Sequence, residues 1–466
     1  MPDYFTPAPQ EATVMPEQRG ERAVVLGGGV AGLLAARVLA ENYADVVVVD
    51  RDELLGVTTY RNGVPHGRHA HGLVAKGHEI FEGLLPGLTQ SMTEDGVRPG
   101  DFNGAIQWIF NGQRIAASDS GLACLPCGRP ALELGVRKQV QAIPNVRFLE
   151  RHDIVSLETT PDNMRVTGAW IQRREPGSQP EVLLADLVLD ATGRGSRMPA
   201  WLRELGYEVP AEDKIKVDLA YTSRHFRLKR DPFTRDIAII AAATPSHPRG
   251  AFFYPMPDGE TVELSLTGIL GDYPPTDPEG FLAYTKSLPI PDFYDYVHDA
   301  EPVDDAVRFK FPASVWRRYD QLTRFPENLL VMGDAVSSFN PIYAQGLTVS
   351  GMEALTLREH LGKPGPINAI EFFAEISGQI ASPWGFSATA DLGYPGVEGE
   401  RTEQILMING YIAALQAAAV HDPVLTDAFL RVAGLVDDPM ALMRPDIQQR
   451  VMPQPGPAPA DTSASA

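Results

Sequence analysis

The sequence predicts an α/β fold: a parallel sheet with a β-meander, interrupted by an antiparallel sheet and followed by C-terminal helices. Three observations predict it. A strand, glycine-rich turn, helix and second strand open the chain at residues 22–50. Residues 216–229 and 251–270 instead alternate apolar and polar positions, the pattern of an antiparallel sheet with one covered face. Residues 328–332 (NLLVM) then return to the unbroken apolar run of a buried parallel strand. The first domain is therefore interrupted and completed late in the chain.

Each element has a local reason. Residues 22–28 (RAVVLGG) are apolar and end in glycines, and 30–41 (VAGLLAARVLAE) have helical composition. The run DVVVVD at 45–50 is β-branched, as a buried strand requires. A second helix is expected at 131–141 and a short strand at 146–149. Strands at 164–173 and 182–190, joined by EPGSQP, read as the meander. In the middle region Val262, Leu264 and Leu266 point one way and Glu263, Ser265 and Thr267 the other. Pro257-Asp258-Gly259 is the hairpin turn before them. Residues 343–361 and most of 368–450 are helical in character.

The turn carries the first functional signal. Gly27-Gly28-Gly29-Val30-Ala31-Gly32 matches G-x-G-x-x-G between a strand and a helix. Gly27 permits the tight turn, Gly29 lets a pyrophosphate approach the backbone, and Gly32 lets helix and strand pack closely. The helix N-terminus supplies free N–H groups to the phosphates. Asp50 ends the second strand, where its carboxylate accepts hydrogen bonds from ribose hydroxyls. An acid there disfavours a 2′-phosphate, so the site suits FAD or NAD and makes the parallel sheet Rossmann-like.

A second signal separates these two. The run from Gly333 to Leu347, GDAVSSFNPIYAQGL, places Asp334 at a turn after a strand and Pro341 early in a helix. A carboxylate there can bind ribityl hydroxyls. A helix beginning near Tyr343 would aim its positive end at a flavin ring. Gly333, Gln345 and Gly346 complete this candidate set. A pure NAD enzyme has no use for it.

With both motifs present, the chain resembles the flavoprotein monooxygenases of the p-hydroxybenzoate hydroxylase fold over residues 22–360. A middle motif of that family is D-G followed by Ser and Arg. Here it reads Asp190-Ala191-Thr192-Gly193-Arg194-Gly195-Ser196-Arg197, with Ala in place of Gly. Gly67-Arg68-His69-Ala70-His71-Gly72-Leu73 and Gly128-Arg129-Pro130-Ala131-Leu132-Glu133 look like segments of bacterial flavin epoxidases from polyether biosynthesis. The resemblance implies that Arg68 and Arg129 approach FAD, and Arg51 can reach its adenine end. It implies a monooxygenase that uses dioxygen through a flavin hydroperoxide, with NADPH or NADH as transient electron donor. A separate flavin reductase stays open. The implied substrate is an apolar natural-product intermediate, with epoxidation ahead of hydroxylation.

The expected domains follow. Residues 20–200 begin the FAD-binding domain, with 60–115 contributing partly to the substrate side. Residues 201–325 form the substrate-binding sheet, 326–365 complete the FAD domain, and 366–450 are helical. Residues 1–19 and 451–466 are expected to be disordered tails, the latter rich in Pro, Ala and Ser.

Other readings stay in play on the same fold. One is a flavoprotein reductase or dehydrogenase acting on a polyprenyl or polyene. Another is a non-catalytic prenyl-binding protein, against which Asp50 and the Gly333-Asp334 turn both speak. A flavin-dependent halogenase would be expected to carry a W-x-W pair, which the five tryptophans do not form. His69 and His71 lack further ligands at metal spacing and read as structural. Cys124 and Cys127 form a lone C-x-x-C and read as incidental thiols.

Composition excludes further classes. With 40 Lys plus Arg against 60 Asp plus Glu, the net charge of −20 disfavours nucleic acid and anionic membranes. Two cysteines cannot form a disulfide scaffold. No apolar stretch reaches membrane-spanning length, and the N-terminus is no secretory signal, so a cytoplasmic location is expected.

Overall fold

The computed structural model describes residues 19–452. The expected tails lie almost wholly outside this range. Val451, placed in the tail, instead ends the helix Pro445–Val451 and is buried.

Five parallel strands form the first sheet, in the order Leu329–Val331, Leu187–Asp190, Gly20–Leu26, Tyr43–Val49, Val146–Leu149. Val24, Val25, Val47 and Val48 have no exposed surface, which is why these runs are continuous rather than alternating. The helix Val30–Leu39 packs on Gly128–Gln141 and Gly346–Gly362. The strand Leu329–Val331 joins this sheet from late in the chain, as the interrupted pattern requires.

Two local expectations change. The 182–190 segment is not one strand. Glu181–Leu184 pairs in the meander with Val166–Arg173, which pairs on its other side with His152–Thr159. Leu187–Asp190 enters the parallel sheet. Asp186 makes the break, because its carboxylate accepts the backbone N–H groups of Glu21 (2.7 Å) and Arg22 (3.0 Å). The late helix also starts later than Tyr343. Pro341–Tyr343 is a separate 3₁₀ turn, Ala344 adopts a left-handed φ of 53°, and the α-helix begins at Gly346.

The second sheet has eight strands, built around Leu219–Arg227, Val262–Gly268, Arg249–Pro255 and Ala238–Ala241. Ile106–Phe110 adds to it, parallel to Ala238–Ala241. Leu264, Leu266, Phe226 and Phe253 pack against Phe281 and Phe293 of the helices Pro278–Lys286 and Asp292–Val297. The opposite face was expected to be uncovered. It is buried as well: Glu263 is 2% exposed, Ser265 0% and Thr267 1%. The stretch around His69 and Ala70 lies over it, the Ala70 N–H donating to Ser265 Oγ at 3.0 Å.

A third core joins this sheet to the C-terminal helices. It brings Ile106, Phe110 and Tyr254 together with Leu415, Leu425 and Phe429 of the helices Glu403–Ala419 and Pro423–Ala433. Among the described residues no helix is long and apolar enough to cross a membrane.

Candidate functional site

Parallel strands deliver their carboxyl ends to one edge, where an α/β sheet places ligands. Leu26, Val49, Asp190 and Val331 all end there, so Gly27, Asp50, Ala191 and Gly333 are neighbours. Gly27 has φ 102°, and a Cβ on it would sit 2.5 Å from the Ala191 carbonyl oxygen. A Cβ on Gly32 would lie 1.9 Å from the Gly27 carbonyl oxygen. Around Gly29 the space is open. The nearest atom to a Cβ there is Arg129 Nη2, at 4.0 Å. The first glycine closes the turn, the third packs the helix, and the second faces a gap edged by a guanidinium.

Asp50 is 8% exposed and does more than the sequence indicates. Its Oδ2 accepts the Gly28 N–H at 2.7 Å and its Oδ1 the Asp52 N–H at 2.8 Å. The carboxylate thus ties the glycine turn to the second strand, with lone pairs left for a ribose. Burial raises its pKa, although Arg61 and the backbone donors oppose this.

Arg61 and Glu133 stand at the candidate site and were not among the residues the sequence predicted. Arg61 Nε meets Glu133 Oε1 at 2.6 Å, and its Nη1 reaches Asp52 at 3.1 Å and Asp50 at 3.5 Å. Glu133 also holds Arg129 (3.1 Å) and Arg137 (3.2 Å). One buried carboxylate therefore fixes three arginines, and one of them edges the open glycine. The G-R-P-A-L-E segment did contain the signal: Arg129 and Glu133 are an i,i+4 pair on one helix face.

On the other side, Gly333 turns with φ 68°. Its N–H donates to buried Glu353 at 2.6 Å. Asp334 lies against Gly193 and Gly346, its Oδ1 3.9 Å from a Cβ position on Gly346. Burial raises its pKa, opposed by the charges of Arg194, Arg129 and Arg317. Gln345 is 1% exposed, and neither polar atom of its side chain has a partner among the described residues. In the middle motif, Asp190 accepts from the Thr192 N–H (2.9 Å) and hydroxyl (2.6 Å) and from the Ser196 hydroxyl (2.5 Å). That acid shapes its own loop, and the loop's Arg194 is the charge turned toward Asp334.

The structure therefore gathers Gly27, Gly29, Gly32, Asp50, Arg129, Gly333, Asp334, Gln345 and Gly346 at one edge. Pro341 is exposed and lines the adjoining cavity. Arg51 is exposed, and Arg68 is exposed with its guanidinium over the Tyr60 ring at 4.9 Å, so neither is held at this edge. His69 bonds Ser223 and His71 bonds the His69 carbonyl. No group of three His, Cys, Asp or Glu could hold a metal among the described residues. Cys124 and Cys127 are buried, form no disulfide, and are pushed above the ordinary thiol range by burial.

Beside this edge opens a cavity of about 1630 Å³. Its walls come from the second sheet (Tyr221, Phe252, Tyr254), the Pro341–Ala344 turn and the C-terminal helices (Phe386, Met407, Phe429).

The family description "FAD dependent oxidoreductase" matches residues 23–263. The chain belongs to the FAD-dependent oxidoreductases. It is 34% identical over 437 residues to Protein Rv3254 of Mycobacterium tuberculosis, covering 90% of each chain. Its fold is similar to that of the flavin-dependent brominase Bmp2, with a TM-score of 0.62, 15% identity and 89% and 93% coverage. It is also similar to PqsL, a probable FAD-dependent monooxygenase from Pseudomonas aeruginosa, with a TM-score of 0.53, 16% identity and 88% and 99% coverage.

The residues present fit FAD. The gap at Gly29, the arginine beside it, the acid ending the second strand and the partnerless amide of Gln345 are what a dinucleotide with a polar ring would complete. Bound there, FAD supplies the redox chemistry.

Proposed function

We propose that this oxidoreductase is an FAD-dependent monooxygenase that places one atom of dioxygen onto a large apolar substrate, epoxidation of a carbon–carbon double bond being the favoured reaction. The cavity carries the reading. At about 1630 Å³ it exceeds the roughly 300–1,000 Å³ of sites for drug-sized ligands. Its apolar rim continues outward through Met407 (68% exposed), Met440 (70%) and Met452 (61%), an adaptable surface for a long hydrocarbon. Oxygen transfer to an olefin needs no base to ionise the substrate. Tyr254 on the wall is a neutral phenol whose hydroxyl donates a hydrogen bond to Glu263, so it is no such base. The protein's work here is to hold the substrate against the cofactor and to exclude water.

In this reading Asp50 and Arg129 hold the adenosine and pyrophosphate, while Asp334 and Gln345 hold the flavin half. Gly346 presents a helix N-terminus to it. Arg51 and Arg68 stay as outer contacts. NADPH or NADH supplies electrons by transient binding, or a separate flavin reductase does so.

The test is to reconstitute the protein with FAD and follow NADPH and oxygen consumption with long polyenes and with aromatics under isotopically labelled dioxygen. Label in an epoxide is the expected result. Substrate turnover without oxygen uptake would replace this reading with a reductase.

A further inference from the structure

A string of buried polar side chains crosses the second sheet beside the cavity. Strand pairing sets it out: Ser223 lies opposite Ser265 and His225 opposite Glu263, while Tyr254 lies opposite Glu263 on the other side. These positions share the face that also carries Tyr221 and Thr267. A carboxylate at 2% exposure in the middle of a sheet is costly unless paired. Glu263 is fully surrounded. Its Oε2 accepts the Tyr254 hydroxyl at 2.7 Å and its Oε1 the Ser265 hydroxyl at 2.6 Å. His225 Nε2 stands 3.6 Å from Oε2.

The string has an outer and an inner end. Outward, His225 Nδ1 meets Asp304 Oδ2 at 2.7 Å, and the Asp304 side chain is 42% exposed. Inward, Tyr254 lines the cavity. A side branch runs from Ser265 to Ser223 and on to His69 Nδ1 at 2.8 Å. His69 Nε2 and His225 Nε2 are both buried without a hydrogen-bond partner among the described residues.

We propose that Asp304, His225, Glu263 and Tyr254 form a proton relay from solvent to the cavity wall. The inference rests on the oxygen-dependent reaction proposed above. There, one oxygen atom leaves as water, so protons must reach an apolar chamber. In each passage the Tyr254 O–H bond breaks as its proton goes to the reacting atom, the His225 Nε2–H bond breaks as that proton passes through the Glu263 carboxylate to the Tyr254 oxygen, and a proton from solvent recharges the ring beside Asp304. No electrons move, and the string ends with the protons it began with. Ser265 and Ser223 hold the second carboxylate oxygen in line.

The charges agree with this arrangement. Burial would lower His225, but Asp304 and Glu263 outweigh it and hold it up at about 10. Burial would raise Glu263, but His225, Ser265 and Tyr254 hold it down. The other groups that feel Glu263 are Tyr60, His69 and His71. Asp258 feels His225, and Arg224 faces Asp304.

The test has two arms. In the FAD-free protein, histidine ring resonances are titrated by NMR. Glu263→Gln and Asp304→Asn are each expected to lower the His225 midpoint by about one pH unit or more. Unchanged midpoints would overturn the relay. Asp304→Asn sits at the half-exposed end and keeps the test alive if a buried variant fails to fold. In the second arm the FAD-loaded protein is reduced with dithionite and mixed with oxygen at varied pH in H₂O and D₂O. Tyr254→Phe is expected to slow the proton-dependent phase roughly 10²-fold and to remove its solvent isotope effect, with FAD affinity kept. An identical pH profile and isotope effect in Tyr254→Phe would also overturn it. Wild-type protein whose reduced flavin ignores oxygen would end the monooxygenase reading, and the NMR arm alone then decides the relay.

Discussion

Two side chains at the carboxyl edge carry the proposed flavin contact at the scale of single residues. Gln345 is buried with both amide atoms unpartnered, a cost of about 1–3 kcal/mol in the FAD-free protein. Gln345→Leu should therefore raise the melting temperature of the FAD-free protein while weakening FAD binding. A structural amide would lower both. Asp334 is its acidic counterpart, held among Arg194, Arg129 and Arg317. Asp334→Ala should lose a charge-assisted hydrogen bond of about 2 kcal/mol, roughly a 30-fold weaker FAD affinity by fluorescence titration. Unchanged affinity would remove the assignment of that turn. Both residues stand in a motif visible in the sequence because Gly, Asp and Pro mark backbone geometry that few other residues allow. Arg61 was invisible for the opposite reason. Its 2.6 Å contact with Glu133 joins residues far apart in sequence, and only the Arg129–Glu133 spacing gave a local hint on the Glu133 side.

At the scale of elements, the helix Gly346–Gly362 couples the site to pH. Burial pushes its Glu353 up to about 8, with the Asp334 charge adding to the rise and the Gly333 N–H opposing it. The folded protein thus binds a proton that the unfolded chain releases near the ordinary value of 4.5. Stability from this group is complete below that value and is lost as pH rises toward 8, at up to about 1.4 kcal/mol per pH unit. Asp391, raised to about 7, and His225, held at about 10, act with the same sign over their own ranges. Melting temperatures of the FAD-free protein should fall between about pH 7 and 8, above the range where His66, His69, His71 and His78, all lowered by burial, act with the opposite sign, and Glu353→Gln should flatten that fall. An unaltered slope would show that Glu353 is ionised in the fold. The elements themselves were mostly legible. Valine-rich runs announced the parallel strands, and alternation announced the second sheet. Boundaries were lost where a tertiary contact decided them, as at Asp186 and at the left-handed Ala344. The polar face of the Val262–Gly268 strand looked solvent-exposed because a pattern records polarity and not what covers it.

For the molecule as a whole, the acidic charge and the anionic cofactor pull in opposite directions. A chain of net charge −20 repels phosphates at long range, so affinity must come from the fixed arginines at one edge. Those arginines are drawn from separate segments. Arg129 stands on the Gly128–Gln141 helix and Arg194 in the loop after Leu187–Asp190, where it lies 4.3 Å over Phe311 of the second sheet. FAD bound as proposed would meet Arg194, which packs on the second sheet, and its binding energy would become stability shared between the two cores. At 100 times its dissociation constant a ligand adds about 2.7 kcal/mol. FAD addition should raise the melting temperature and should slow amide exchange in Gly20–Leu26 and also in the cavity-lining strand Arg249–Pro255. Asp334→Ala should need more FAD for the same gain. Protection confined to the parallel sheet would mean that the cofactor does not bridge the two sheets, and the cavity would then lose its claim to be the place where substrate meets flavin.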